Sequence, residues 1–378
     1  MAIECDVLVV GGGPAGLSAA LTLVKKENLS VIVLERKNFF GPAKPRYDIT
    51  EVDKEMKKIF EYLGLSPLKR TNVSEWFFPD RELTMESEVE DFYFLRGNGS
   101  NSIENFLIKK LRAYDVKILN GIEIKDIEMS DKNVEKIWIS HKGADVDIKP
   151  TFVIASDGNF SFLREKLNIK KRILAKFKGV GILLESKEEN AIPYSRIYFD
   201  SDIAPGGYVY AGSVERDVFF CLVVDHDLAK EKERQLFDNL KLFLDRRYGI
   251  FLDRCKFKNY FGGVGLSGNI EVIHGNVIFI GSSALLHDPL FGYGLNYAIS
   301  SGYYAGLAIC DKNFDIYSEF DKLIDEEFKE KHFLRNAWKK PSNETPDILT
   351  KYLSRDSNSI SQAETFFKQK NTQSFGAF

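Results

Sequence analysis

The strongest constraint on the fold lies between Asp6 and Glu35. Asp6 to Val10 is a short apolar run that breaks at Gly11-Gly12-Gly13-Pro14-Ala15-Gly16, after which Leu17, Ala20, Leu21 and Val24 recur at helical spacing. Ser30 to Leu34 is a second β-branched run, and it ends on Glu35. Strand, tight turn, helix and strand make a βαβ unit in which Gly11, Gly13 and Gly16 stand as GxGxxG. Gly11 permits the turn, Gly13 lets backbone approach a pyrophosphate, and Gly16 allows the helix to pack closely on the strand. The helix start, with Pro14 and Ala15, presents free N–H groups to phosphate. Glu35 can accept both hydroxyls of an adenosine ribose. The bland alternative is a glycine-rich βα turn with no ligand, and the acid at the end of the second strand argues against it.

Composition narrows the class. At 378 residues and 44% hydrophobic content, the chain can bury a sizeable core without disulfide staples. Its 52 Lys and Arg against 55 Asp and Glu give a net charge of -3, too weak a field to gather nucleic acid. Cys5, Cys221, Cys255 and Cys310 lie far apart and form no CxxC pair, so no metal is expected. Dispersed thiols suit a reducing compartment. No apolar run reaches ~18 residues, and Val7 to Val10 leads into glycines instead of a cleavage site. The expectation is a cytoplasmic protein, with peripheral contact at a membrane left open.

Further along, Ser102 to Tyr114 reads as an amphipathic helix, and Val116 to Leu119 and Phe152 to Ala155 as strands returning to the first sheet. Gly179 to Leu184, Ser195 to Phe199, Gly207 to Ala211 and Val218 to Val224 alternate like antiparallel strands. Leu228 to Leu244 carries an apolar helical face suited to covering that second sheet. Asn276 to Gly281 reads as another buried strand and Gly292 to Ala308 as a helix. The predicted fold class is α/β: a Rossmann-like βαβ domain with a second, largely antiparallel β-sheet domain. The first is expected to be discontinuous, over 1–50, 95–170 and 268–335, with the second over 51–94 and 171–267 and a C-terminal extension over 336–378.

Two more segments carry chemistry. The stretch from Ala155 to Arg164 resembles the DG motif of FAD enzymes related to aromatic hydroxylases, matching at Asp157, Gly158, Ser161 and Arg164. The stretch from Gly281 to Ala298 resembles the second flavin motif of that superfamily, with a Gly-Tyr-Gly-Leu-Asn run over 292–296. Ser282 stands where the pattern has an Asp that bonds a ribityl hydroxyl; a neutral acceptor makes that contact weaker by ~1 kcal/mol.

Within the superfamily the chain resembles the geranylgeranyl reductase and FixC-like group over roughly residues 1–310. The supporting residues are the loop Gly41 to Arg46, Arg96 ahead of its helix, and Pro205-Gly206-Gly207-Tyr208, which is similar to the start of the substrate-domain motif. Tyr210 and Gly212 replace a Trp and a Phe of that motif, and Tyr47 replaces a frequent Cys. The resemblance implies a glutathione-reductase-type FAD domain and a substrate domain. The cofactor contacts are then Gly11, Gly13, Pro14, Ala15, Gly16, Glu35, Arg36, Arg46, Arg96, Ile124, Asp157, Gly158, Gly281, Ser282, Gly292, Gly294, Leu295 and Asn296.

The implied activity is reduction of C=C bonds in an isoprenoid chain by hydride from reduced flavin. Tyr208, Tyr210, Tyr47 and Tyr293 are the candidate catalytic side chains, as proton donors or substrate positioners, against the plainer reading of packed tyrosines with satisfied hydroxyls. His287 is a weaker candidate. Expected partners are an isoprenoid or other apolar small molecule and an external electron donor, a ferredoxin or NAD(P)H, because Gly262-Gly263-Val264-Gly265 lacks the helix that a second dinucleotide fingerprint needs. Two rivals stand beside this reading: a flavin monooxygenase of an aromatic or lipid substrate, and a flavin electron-transfer module.

Overall fold

The computed structural model describes residues 2–79, 81–114, 116–229, 233–323 and 326–338. Residues 339–378 of the expected C-terminal extension lie outside the described residues.

Val7–Val10 and Val31–Leu34 are apolar at successive positions, and a strand of that kind is stable only when both of its faces are covered. They pair in parallel at the centre of an eight-stranded sheet. Its order runs Ile273–His274, Val277–Phe279, Ala144–Ala155, Ile3–Val10, Val31–Glu35, Lys117–Asn120, with Glu123–Ser130 and Asn133–His141 attached as an antiparallel meander. Helices Pro14–Lys26 and Leu295–Cys310 pack together on it. A Cβ at Gly302 would lie 2.3 Å from the Ala15 carbonyl oxygen, so that close approach depends on the missing side chain.

The second sheet also has eight strands, in the order Cys255–Ile270, Lys171–Ser186, Asp217–Asp225, Tyr208–Val214, Ser195–Tyr198, Lys69–Phe77, Glu82–Arg96, Arg46–Val52. All neighbours are antiparallel except Ser195–Tyr198 beside Lys69–Phe77. Its two outer strands meet: Asn259 Nδ2 donates to the Pro45 carbonyl at 3.1 Å and Arg46 Nη1 to the Gly262 carbonyl at 3.4 Å. The sheet therefore curls into a trough. Period-two alternation divides its faces. Val218, Phe220, Leu222 and Val224 face helix Glu233–Leu252, which buries Leu236, Leu240, Phe243 and Leu244. Phe219, Cys221 and Val223 face into the trough.

The segment past residue 50, irregular in sequence, holds a short helix, Lys54–Leu63. Asp53 caps it by accepting the Met56 N–H at 2.7 Å, and Gly64 ends it with φ of 68°. Its stripe of Met56, Ile59, Phe60 and Leu63 belongs to the core of the first sheet.

Candidate functional site

The three motifs converge at the carboxyl ends of the parallel strands. Ser156 Oγ donates to the carbonyls of Val10 and Gly11 at 2.8 Å, which fastens the DG loop to the glycine turn. Arg164, 5% exposed, donates to the Ser283 carbonyl at 2.6 Å and to the Asn159 carbonyl, linking the DG loop to the third motif. Gly281, at φ of 56°, leaves room for Ala15, whose Cβ lies 2.9 Å from where a Gly281 Cβ would stand. Segments far apart in sequence thus form one rim, at the place where α/β sheets bind ligands.

That rim fits a dinucleotide. Gly11, at φ of 115°, sits where a Cβ would lie 2.2 Å from the Ser156 carbonyl oxygen, and a Gly16 Cβ would lie 2.1 Å from that of Gly11. A Cβ at Gly13 or at Gly158 would meet nothing within 4 Å, so the two glycines present bare backbone to open space. Helix Pro14–Lys26 starts at Gly13 with no side-chain cap, which leaves its first N–H groups for an anion. The Glu35 carboxylate accepts the backbone N–H groups of Gly12 and Lys37, each at 2.9 Å. These are the residues that would hold the pyrophosphate and ribose of FAD.

Other expected contacts sit differently. Asp157 turns onto helix Phe162–Lys166, accepting the Leu163 N–H at 3.1 Å, and burial raises its pKa. Arg36 is exposed, and Ile124 packs at the margin of the first core. Asn296 donates its N–H to Thr50 Oγ1 at 3.1 Å. Gly262 to Gly265 lie inside strand Cys255–Ile270, not at a strand-to-helix turn.

Between rim and trough lies a cavity of about 770 Å³, within the range of small-molecule sites. Pro14, Ser282, Gly292, Gly294 and Leu295 line it from the nucleotide side, together with Arg46 and Arg96. Arg96 is held between two carboxylates: Asp48, and Glu104, which is fully buried and 2.6 Å away. Burial pushes the Asp48 pKa up, but Arg46 and Arg96 more than offset it and hold the carboxyl below its usual range. His287 Nδ1 lies 3.0 Å from the Leu266 carbonyl and Nε2 lies 3.4 Å from Ser282 Oγ. Burial lowers its pKa to about 4, so the imidazole is neutral near pH 7 and donates through Nδ1.

The four candidate tyrosines all line the cavity, and each hydroxyl is engaged. Tyr47 donates to Asp217 at 3.0 Å, Tyr208 to the Phe291 carbonyl at 2.6 Å, Tyr210 to Ser195 at 2.7 Å, and Tyr293 to Glu51. Burial raises the pKa of all four.

Sequence reasoning passed over the charges that close the far side. Lys331 and Arg335 on helix Glu326–Trp338 are 5% and 0% exposed. Lys331 pairs with Asp288 at 2.9 Å, and Arg335 with Asp225 at 3.2 Å. Asp288 in turn accepts the N–H groups of Leu290 and Phe291, which fixes the loop ahead of Gly292. The available signal was a helical i, i+4 spacing of two cations; a solvated face explains such a pair equally well.

Residues 4–239 match the FAD binding domain family. The digeranylgeranylglycerophospholipid reductase of Methanosarcina mazei is 26% identical over 80% of this chain and 74% of its own length. Among solved structures, a geranylgeranyl bacteriochlorophyll reductase-like protein from Thermoplasma acidophilum superposes with a TM-score of 0.77, at 19% identity over 96% of each chain. The p-nitrophenol 4-monooxygenase of Pseudomonas putida gives a TM-score of 0.71 at 17% identity, over 97% of this chain and 98% of its own.

Proposed function

The chain belongs to the FAD binding domain family and is an FAD-dependent oxidoreductase, and from that premise we propose that it reduces C=C bonds of an isoprenoid lipid chain. The observation that carries this reading is the trough beyond the rim: a cavity with one wall of Trp76, Ile197, Phe219, Val223, Phe261 and Phe291. Such a wall gives an apolar chain dispersion contacts. The reductase identity of the Methanosarcina mazei relative supports the same substrate class.

Reduced flavin, when bound, supplies hydride to one alkene carbon. The chain's own residues do the rest. Gly11, Gly13, Gly16 and Glu35 bind the nucleotide end, while the backbone at Gly292 and Gly294 forms the floor of the cavity. The four tyrosines line the cavity and would position the substrate, with their hydroxyls turned to protein acceptors. Neutral His287 adds no charge beside Ser282. The electron donor is external, a ferredoxin or NAD(P)H. Among the described residues no helix is long and apolar enough to cross a membrane.

The resemblance to a phenol monooxygenase favours oxygen insertion as a second reading. Stopped-flow spectroscopy separates the two. Reduced protein should be re-oxidised by a prenyl lipid with no oxygen present; re-oxidation that needs both oxygen and a phenol would favour the monooxygenase.

A further inference from the structure

Two carboxylates face each other in the trough. Glu51 and Asp91 are directly opposed on antiparallel strands Arg46–Val52 and Glu82–Arg96, and both line the cavity. Side chains so placed are ~5 Å apart at Cβ, and two like charges there repel. Glu51 has cationic and hydroxyl partners: it accepts from Tyr293 and lies 3.7 Å from Lys331 Nζ. Asp91 has a hydroxyl partner and, among the described residues, no cationic one. It accepts from Ser195 Oγ at 2.5 Å through Oδ2, and among the described residues no Lys, Arg or His pairs with it.

Ser195 is itself a hub. Its Oγ lies 2.6 Å from the Tyr93 hydroxyl and 2.7 Å from that of Tyr210, and these two hydroxyls are 2.9 Å apart. Because Ser195 gives its proton to Asp91, it receives one from a tyrosine. The carboxyl is thus fixed at Oδ2, and a proton on the group belongs to Oδ1, the oxygen that Ser195 does not engage. Burial and then the Glu51 charge push the Asp91 pKa up to about 7, so a large share of the molecules hold that proton at neutral pH. The other titratable groups around it are Tyr93, Tyr210, Lys331 beyond Glu51, and Lys69. The last sits 5.2 Å above the Tyr93 ring, is lowered to about 8 by burial, and donates to the carbonyls of Ile192 and Ser213.

We propose that Asp91 is the proton donor of the reduction, with Ser195, Tyr93 and Tyr210 as the positioning residues that hold its carboxyl toward the cavity. This rests on the C=C reductase reading. The alkene π pair takes the Asp91 proton to form one C–H bond. The neighbouring carbon, left short of electrons, takes hydride with its electron pair to form the second. The π bond is lost, the external donor restores the two electrons, and solvent returns two protons, one to the Asp91 carboxylate and one to replace that carried by the hydride.

Holoprotein carrying carbon-13-labelled aspartate tests the first half by infrared spectroscopy. A protonated carboxyl band should persist at neutral pH, titrate near pH 7 and be missing from Asp91→Asn. No such band in the wild type overturns the proposal, whether or not the variant folds. The second half is a single turnover of reduced holoprotein with a prenyl lipid. Asp91→Asn should keep its FAD and its lipid affinity but lose ~100-fold or more in rate, the range of general acid catalysis. The wild-type rate should fall as pH rises through 7, the variant's should be flat, and Asp91→Glu should restore both rate and pH limb. If wild type reduces the lipid and Asp91→Asn matches it within about threefold, the inference fails and the reductase reading stands. If reduced wild type leaves the lipid unchanged, the reductase reading fails and takes this inference with it.

Discussion

The Glu35 carboxylate accepts the backbone N–H of Gly12 at 2.9 Å, so the acid at the end of the second strand and the glycine turn after the first form one unit. Its other oxygen takes the Lys37 N–H, also at 2.9 Å. An FAD ribose would therefore meet a carboxylate already fixed in place. Glu35→Ala removes both a charged acceptor for the ribose and the partner of the Gly12 N–H. The FAD dissociation constant should rise by the equivalent of ~1.5–3 kcal/mol, measured by fluorescence titration of apoprotein. An unchanged constant would move the adenosine site elsewhere.

The glycines separate folding from binding. Gly13 has φ of -81° and open space where a Cβ would stand, whereas a Gly16 Cβ would lie 2.1 Å from one backbone oxygen and 2.4 Å from Ser156 Oγ. Gly13→Ala should keep the apoprotein's stability within ~0.5 kcal/mol yet weaken FAD binding at least tenfold. Gly16→Ala should destabilise the apoprotein itself by ~1–3 kcal/mol or more. Urea titration with and without FAD reads both; a Gly13→Ala protein that binds FAD normally would contradict the placement of the pyrophosphate.

Arg96 braces the strand that carries it. The resemblance implies that it contacts the cofactor; in the structure its guanidinium lies between Asp48 and the fully buried Glu104, ahead of helix Ile103–Leu111. Arg96→Ala would leave a carboxylate buried without its cation, a loss of about 3–5 kcal/mol. Chemical denaturation of the apoprotein measures it, and a change below ~1 kcal/mol would mean that the cluster does not brace the strand.

What was legible in the chain was local. Gly11 to Gly16 with Glu35, the Asp157-Gly158 turn and the Gly292 to Asn296 run are contiguous, and each carries its backbone requirement in its own residues. The trough is different in kind. Asp91 sits in an acidic stretch with Glu86, Glu88 and Glu90 that reads as solvated surface. Only the strand register sets it opposite Glu51, and only the curl of the sheet brings Ser195 and Tyr210 to it. Helix Lys54–Leu63 was readable from its i, i+3, i+4, i+7 stripe and from Asp53 and Gly64, although charged residues fill its other face.

Asp91 also gives stability a pH signature. Its carboxyl is raised from 3.8 to about 7, so the folded chain keeps a proton that the unfolded chain releases. The stability this contributes is complete below the unfolded value and is lost as pH rises through about 7. Asparagine cannot ionise. The melting temperature of Asp91→Asn relative to wild type should therefore rise between about pH 5 and about pH 8 by calorimetry. A constant difference across that range would place the Asp91 carboxyl at an ordinary pKa.

The most direct measurement is the mass of the lipid after one anaerobic turnover. Holoprotein reduced by dithionite, freed of excess reductant and mixed with a stoichiometric prenyl lipid, should return lipid heavier by two hydrogens, and both should be deuterium when reduction and reaction run in heavy water, because the hydride and the proton both originate from solvent. Lipid recovered unchanged, or changed only when oxygen is admitted and then by one oxygen atom, would contradict the account.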